Sequence, residues 1–365
     1  MKHRFTVLDV FRGIFASLVV FYHMSAFSDT PLLNNAFIEN ADLFVDFFFA
    51  LSGFVICYSY RSIDGSKQMT GFLYKRLIRL YPLHLLMLLV FLAVEGIKHM
   101  LAGQVQINNS LDNSVVTFIT SLFLVNSIGF PGVRDIGWNM VSWSISAELI
   151  SYIVFALGCF LLSTPKLDKF KPHVYFIIAL MAAILIYRFT GTTRLDYTYN
   201  YGFLRGIIGF FTGTLCFYLF KLTYNRVIRW SLLFFTMLEI SAVLLVVFLV
   251  LNGKEMRYIG LLFEPVFFVS VFIFAFQKGY LSLVLSKISL LEKIGRYSYS
   301  IYMVHTLFIS IFNVFFIRIL KFPPAAYAYL FIINYLVIYL VAAWTYKNIE
   351  MRFQQKLKAK NSYTT

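Results

Sequence analysis

Long apolar runs separated by short polar segments dominate the chain. A helix that crosses the roughly 30 Å hydrocarbon layer of a membrane needs about 20 mostly apolar residues, and runs of this kind recur throughout the 365 residues. The pattern therefore predicts an all-α polytopic membrane protein. We expect ten transmembrane helices, at about 5–26, 42–60, 80–100, 143–163, 173–189, 203–220, 231–251, 258–277, 298–320 and 326–346.

An eleventh apolar stretch, at 114–130, is shorter and ends in a Gly-Phe-Pro-Gly turn sequence. We interpret it as a re-entrant or interfacial helix, because a further span here would invert the orientation of every later loop. Residues 1–350 then form a single integral-membrane domain, and residues 351–365 form a basic cytoplasmic tail.

The positive charges fit this count when both ends of the chain lie in the cytoplasm. The cytoplasmic segments hold 22 of the 32 Lys and Arg residues, whereas the external loops hold eight and the spans hold Arg12 and Arg205. Cytoplasmic loops of membrane proteins carry an excess of Lys and Arg. The net charge of +15 is therefore explained by loops that contact anionic membrane lipids, and we expect no nucleic-acid partner.

The composition excludes two other classes of protein. Charged residues make up only 13% of the chain, about half the share of a soluble domain, and the 60% of hydrophobic residues excludes intrinsic disorder. The three cysteines, Cys57, Cys159 and Cys216, lie in apolar runs outside any metal-binding motif. We therefore expect neither a disulfide framework nor a bound metal.

Polar residues inside the spans are the candidate functional residues. Such side chains are costly in hydrocarbon, usually face the interior of the helix bundle and mark a site or pathway. Four of them, on four different spans, fall in the outer half of the membrane and would form one site if their helices are neighbours. The complete set is Arg12, His23, Asp46, Ser52, His84, Glu148, Arg205, Glu239, Glu264 and His305, of which the outer four are His23, Asp46, Glu148 and Arg205.

Arginines near the cytoplasmic face form a second candidate site. Arg76 and Arg79 are three residues apart and so share one helix face, and guanidinium groups match the geometry of phosphates. Arg12 precedes His23 by 11 residues, or roughly 16 Å of helix, which is comparable with the pantetheine arm of coenzyme A. An acyl-CoA held by these arginines could present its thioester near His23.

Five motifs follow one another along the chain. They are Arg12 with His23, the segment 46–54 (DFFFALSGF), Arg76-x-x-Arg79-x-x-Pro82, the segment 143–148 (WSISAE) and the segment 298–305 (SYSIYMVH). Together they resemble the acyltransferase-3 family of integral-membrane acyltransferases, and the resemblance covers nearly the whole chain. It implies transfer of an acyl group, most often acetyl, from a cytoplasmic acyl-CoA to a hydroxyl of an extracytoplasmic glycan.

The resemblance implies that acetyl-CoA is the acyl donor and that Arg12, Arg76 and Arg79 bind it. Anchoring to anionic lipid is the alternative role for these arginines. Tyr302 and His305 are expected in the inner half of the ninth span, where they could line the passage for the acyl-CoA. In a chain so rich in aromatic residues, filling of the core is the alternative role for Tyr302.

The resemblance also implies that His23 is the catalytic residue. A neutral imidazole can remove the proton from an attacking sugar hydroxyl, and Asp46 or Glu148 could hold the ring in the required tautomer, as in a catalytic triad. Which carboxylate does so stays open. The alternatives are helix capping by His23 and favourable charges at helix N-termini for the two acids. Arg205 and Trp143 are expected to bind the acceptor.

We also make predictions for two other motif positions, Ser52 and Glu350. Ser52 could accept an acyl group, but we favour close helix packing at this Ser-Gly pair. The family often has Glu-x-Pro after the last span, whereas Glu350-Met351-Arg352 lacks the proline. We expect this position to lie far from the chemistry.

The sequence thus predicts an O-acetyltransferase of the bacterial inner membrane that modifies a glycan such as lipopolysaccharide O-antigen or exopolysaccharide. The alternative is a transporter or exporter without acyl transfer, because ten spans and buried acids also suit transport. Binding of acetyl-CoA discriminates between the two, since transport alone does not need that site.

Overall fold

The computed structural model describes residues 4–101 and 113–355. Over these residues the regular secondary structure is helical, with no β-strand, so the predicted all-α class is confirmed. Within the described residues, ten helices are long and apolar enough to cross a membrane, which confirms the predicted number of spans.

Eleven α-helices of eight residues or more lie in the part of the chain that the structure describes. They are α1 (Thr6–Ser25), α2 (Phe44–Ser59), α3 (Ser66–Leu101), α4 (Val115–Leu122), α5 (Ser142–Leu161), α6 (Lys171–Thr190), α7 (Gly202–Val227), α8 (Leu232–Leu251), α9 (Phe263–Ala275), α10 (Ser289–Phe312) and α11 (Tyr327–Thr345). The eight-residue α4 is too short to span a membrane, as expected for the eleventh apolar stretch. Following the predicted topology, we call the end of the bundle that holds the start of α1 the inner end and the opposite end the outer end.

Several helices are longer than their apolar runs. Helix α3 begins at Ser66 rather than near residue 80 and has 36 residues, so both arginines of the third motif lie on it. Helix α11 continues through a π-helical turn at Tyr346–Glu350 and on to Gln355. The first five residues of the predicted tail therefore extend this helix, and residues 356–365 lie outside the described residues.

Local signals in the sequence set helix ends. Ser114 and Ser231 cap α4 and α8, because the side-chain oxygen of each serine accepts a hydrogen bond from the backbone N–H group of the third helical residue, which satisfies a donor that has no partner inside the helix. Gly191 ends α6 in the left-handed conformation, with φ of 68°, a region that glycine enters without steric cost.

Helices α2 and α7 form the centre of the bundle. In each of them 72% of the residues in the most apolar 18-residue segment are buried inside the protein. The corresponding share for α6 is 22%, because most of this helix faces the surrounding lipid. A side chain at Gly213 of α7 would overlap the backbone carbonyl of Ala50 on α2. Small residues thus allow the two backbones to touch, as is common between membrane helices.

A second close backbone contact joins α1 to α10. A Cβ atom at Gly13 would lie 2.6 Å from the backbone nitrogen of Gly295, which is closer than a methyl group can approach. Because both helices start at the inner end, they run parallel from this contact to the outer end. The contact therefore fixes which residues of α1 and α10 meet further along.

We predict that Gly213→Ala destabilises the protein by about 1–3 kcal/mol, the usual cost of forcing an extra carbon into a packed core. The measurement is the thermal unfolding midpoint of purified protein in one detergent. Gly71→Ala is the matched control, because a Cβ at Gly71 would meet no atom within 4 Å. Equal midpoints for the two variants would contradict the close α2–α7 contact.

Candidate active site

A buried ion pair connects α2 with α7. Arg205 donates from Nε to Oδ1 of Asp46 at 2.6 Å and from Nη2 to Oδ2 at 2.8 Å, and the guanidinium lies 5.1 Å from the ring centre of Trp143. Asp46 is fully buried and Arg205 is 2% exposed. The structure therefore brings three predicted site residues together, but each oxygen of Asp46 is already bonded to Arg205.

A pair of histidines lies further towards the outer end. Nε2 of His305 is 3.3 Å from Nδ1 of His23, and the two ring centres are 4.9 Å apart. His23 is partly buried and His305 is fully buried. The expectation that His305 lies in the inner half is wrong, because α10 begins at Ser289, nine residues before the predicted start of that span.

Neither acidic residue proposed for His23 contacts it in the described structure. The ring of Phe44, at the start of α2, stacks on Phe15 of α1 with centres 4.0 Å apart. Phe15 precedes His23 by eight residues, or roughly 12 Å of helix. Asp46 therefore lies deeper than His23, and the prediction that Asp46 holds the imidazole is wrong.

Glu148 belongs to a separate cluster. Its Oε1 accepts hydrogen bonds from Ser52 Oγ at 2.7 Å and from the Tyr152 hydroxyl, so the predicted contact of Glu148 with His23 is also wrong. The close helix packing expected at the Ser52-Gly53 pair is confirmed, because a Cβ atom at Gly53 would overlap the backbone carbonyl of Phe210 on α7. The hydroxyl of Ser52 also lines a cavity.

This central cavity has a volume of about 440 Å³. Its walls come from α1, α2, α5 and α10 and from Arg79 of α3. Arg12 and the Ser52–Glu148–Tyr152 cluster line its polar part, and the remaining walls are mainly aromatic and aliphatic. Along α2 the lining runs from Val45 to Ser59, so the cavity follows almost the whole helix.

A basic inner cavity of about 550 Å³ adjoins the central cavity. Five basic and two acidic side chains line it, and they are Arg12, Lys75, Arg76, Arg79, Arg296, Asp9 and Glu350. The prediction that the position of Glu350 is far from the other site residues is wrong, because the extended α11 brings it into this wall. Four residues line both cavities, namely Asp9, Arg12, Arg79 and Tyr299.

The end of the central cavity that faces the outer end of the bundle does not extend as far as the histidine pair. On α1 the lining ends at Ala16, seven residues before His23, or roughly 10 Å of helix. Tyr302 forms part of this end, and its hydroxyl accepts a hydrogen bond from Ser144 Oγ at 2.9 Å. His23 is not among the residues that line the central cavity.

The remaining intramembrane polar residues lie outside both cavities. Glu239 accepts hydrogen bonds from the backbone N–H groups of Gly279 and Ser282 and so caps the short helix Tyr280–Leu285. His84 bonds the carbonyl of Ser121 at 2.8 Å, which connects α3 to α4. Glu264 is 3% exposed. Within the described residues, its carboxylate oxygens have no hydrogen-bond partner.

Charged loop residues cover the outer end of α7. Arg257 donates to Asp42 at 2.8 Å and lies 4.0 Å from Asp196, and Arg194 also pairs with Asp196. Burial alone would raise the pKa of the Asp196 carboxyl, but the hydrogen bonds and charge of Arg194 outweigh it and hold the pKa below its ordinary value. Arg205 reaches this region through the Tyr197 carbonyl.

The helical fold and its internal polar cavities define a polytopic membrane protein with a site between its helices. A family model described as "Acyltransferase domain", that of the acyltransferase-3 family, matches residues 5–343. The chain belongs to this family, and its ten long apolar helices within the described residues make it a multi-pass membrane protein.

Two curated proteins are similar to parts of the chain. "Acyltransferase MdmB" of Streptomyces mycarofaciens is 35% identical over 113 residues, which cover 31% of this chain and 27% of that protein. "Protein 2 in picA locus" of Rhizobium radiobacter is 37% identical over 92 residues, which cover 25% of this chain and 45% of that protein. Each match spans less than half of the relative. No solved structure matches the chain.

We predict that Asp46→Ala destabilises the protein by about 3–5 kcal/mol, because it leaves the Arg205 charge buried without its partner. The double variant Asp46→Ala/Arg205→Ala should lose less stability than Asp46→Ala, since it removes both charges. Asp196→Ala is the control: it breaks a more exposed ion pair, of a kind that contributes about 0–1 kcal/mol. The measurement is the thermal unfolding midpoint of each variant. Equal losses of stability for Asp46→Ala and Asp196→Ala would contradict a stabilising role of the buried Asp46–Arg205 ion pair.

Proposed function

We propose that the protein transfers an acetyl group from cytoplasmic acetyl-CoA to a hydroxyl of an extracytoplasmic glycan. The observation that carries this proposal is the shared wall between the basic inner cavity and the central cavity. A ligand with an anionic head and a long, thin arm can occupy both cavities at once. Acyl-CoA has this shape and charge distribution.

The charge of the inner cavity suits the phosphates of the donor. Arg79 forms no ion pair within 4 Å among the described residues, and Arg12 reaches only Asp9, at 3.8 Å. The buried Nε of Arg76 has no hydrogen-bond partner in the part of the chain that the structure describes. Guanidinium groups with free donors bind phosphate strongly, which favours a phosphate ligand over a purely structural role.

The central cavity suits the pantetheine arm and the thioester. Its lining on α1 runs from Leu8 to Ala16, or roughly 12 Å, and Arg4 and Phe5, which precede the helix, extend it towards the inner end. The apolar walls limit the access of water to the thioester, which protects it from hydrolysis. The proposal also requires the acyl group to pass from Ala16 and Tyr302 to His23, a step of roughly 10 Å along α1.

At His23 the proposed reaction is a direct acyl transfer. The imidazole accepts the proton of the acceptor hydroxyl, and the hydroxyl oxygen attacks the thioester carbonyl carbon. The carbon–sulfur bond breaks, and the proton passes from the imidazolium to the sulfur of coenzyme A. The products are the acetylated glycan and coenzyme A with a free thiol.

The acceptor side of the proposal rests on the position of His23 near the outer end of α1. A glycan at the outer surface of a bacterial inner membrane, such as lipopolysaccharide O-antigen or exopolysaccharide, would approach from this end. Arg205 and Trp143 are buried beside Asp46. We propose that Arg205 and Trp143 support the protein surface that contacts the acceptor glycan.

His23→Ala is expected to lower acetyl transfer by at least 100-fold, since general base catalysis typically contributes about 10²–10⁴. The assay follows label from radioactive acetyl-CoA into the glycan of membrane vesicles, with equal amounts of inserted protein. His173→Ala is the control, because this histidine is exposed at the inner end of α6. Undiminished transfer by His23→Ala would exclude this residue as the base.

Arg79→Ala is expected to weaken acetyl-CoA binding by roughly 10- to 100-fold, because a hydrogen bond to a charged group contributes about 1.5–3 kcal/mol. Equilibrium binding to purified protein is the measurement. Arg229→Ala removes one exposed positive charge away from both cavities and should leave binding unchanged. Wild-type protein that binds no acetyl-CoA, yet moves glycan across the membrane, would support the exporter alternative instead.

A further inference from the structure

The packing of α1 against α10 explains why two histidines meet. The helices touch at Gly13 and Gly295 and run parallel towards the outer end. His23 follows Gly13 by ten residues, and His305 follows Gly295 by ten residues. Equal steps of roughly 15 Å along parallel helices bring the two rings to the same depth, where the nitrogens are 3.3 Å apart.

Backbone carbonyls assign the tautomer of each ring. Nδ1 of His305 lies 2.7 Å from the carbonyl oxygen of Tyr302, and a carbonyl oxygen can only accept, so Nδ1 of a neutral His305 carries the hydrogen. Its Nε2 is then an acceptor. Nδ1 of His23 lies 2.9 Å from the carbonyl oxygen of Val19 and carries a hydrogen for the same reason.

These assignments fix the arrangement of the pair. The Nδ1–H of His23 is shared between the Val19 carbonyl and Nε2 of His305. The remaining nitrogen of His23, Nε2, then holds a free lone pair. This is the atom that a general base must offer to a hydroxyl proton.

The carboxylates that usually fill the orienting position are used elsewhere. In a Ser-His-Asp triad an aspartate accepts from the histidine Nδ1–H and holds the ring in place. Here Asp46 is bonded to Arg205, and Glu148 to Ser52 and Tyr152. Within the described residues, His305 is the side chain that hydrogen bonds to His23.

We propose that His305 is the positioning residue of His23, where it accepts the Nδ1–H hydrogen bond that a carboxylate accepts in a triad. This inference rests on the proposed function, in which His23 is the base. When His23 gains the hydroxyl proton, its Nδ1–H becomes a stronger donor, and Nε2 of His305 stabilises the imidazolium. Because His305 is fully buried among low-dielectric surroundings, this hydrogen bond is stronger than it would be in water.

The experiment compares His305→Leu with His305→Gln. The leucine side chain has no acceptor, whereas the amide oxygen of glutamine can reach the position of Nε2. We expect His305→Leu to lower kcat for acetyl transfer by roughly 10- to 100-fold, the loss seen when partners of metal-bound histidines are removed. KM for acetyl-CoA should not change, since His305 lines neither cavity, and His305→Gln should recover most of kcat.

His84→Leu is the matched control, because it removes another buried histidine that bonds a backbone carbonyl. It should lower thermal stability without lowering kcat. The double variant His23→Ala/His305→Leu should be no slower than His23→Ala alone, since a positioning residue acts only through its partner. Wild-type kcat in His305→Leu, or equal losses in the Leu and Gln variants, would overturn the inference.

A spectroscopic readout separates this inference from the proposed function. Nitrogen-15 NMR of histidine-labelled protein, with the His23 signals assigned from their loss in His23→Ala, reports the hydrogen bonding of the His23 Nδ1–H group directly. We expect the Nδ1 signal to differ between the wild type and His305→Leu, because in the variant this N–H group donates to the Val19 carbonyl alone. An unchanged Nδ1 signal overturns the positioning role. A changed signal in a protein that transfers no acyl group supports the contact and overturns the proposed function alone.

Discussion

The contact between Gly13 and Gly295 is the constraint on which the rest of the site depends. It brings the backbones of α1 and α10 together at the inner end, and the parallel course of the helices then carries His23 and His305 to one place. The same helices supply Arg12 and Tyr299 to both cavities. A larger side chain at this crossing would separate the histidines and alter the cavity walls together, so packing and chemistry are coupled through one pair of glycines.

The cost of burying polar groups explains how the other intramembrane residues are arranged. A charge or polar group in a low-dielectric interior requires a partner, and Asp46 with Arg205, Glu239 with a helix N-terminus and His84 with a carbonyl each satisfy this requirement. These contacts stabilise the bundle. Within the described residues, the Nε of Arg76 has no hydrogen-bond partner and Arg79 forms no ion pair within 4 Å, and both arginines line the basic inner cavity.

The sequence predicted the features that depend on local properties. Apolar length defines each span, so the number of spans was correct, and the motif arginines do meet at the inner end. The partners of His23 could not be predicted, because they depend on how deep each helix sits relative to its neighbours. Helix α2 starts beside Phe15 of α1, and α10 starts nine residues earlier than its apolar run suggests. Both shifts arise from packing between helices that are distant in sequence, which no local pattern records.

The most direct test of the account is the position of acetyl-CoA in a cryo-EM structure of the His23→Ala protein in lipid nanodiscs. We predict that the nucleotide phosphates contact Arg12 and Arg79 in the inner cavity and that the pantetheine arm follows α2 through the central cavity. The acetyl group should then lie beyond Tyr302, on the side of position 23. Acetyl-CoA bound elsewhere, with both cavities filled only by water or lipid, would contradict the proposed route of the acyl group through the bundle.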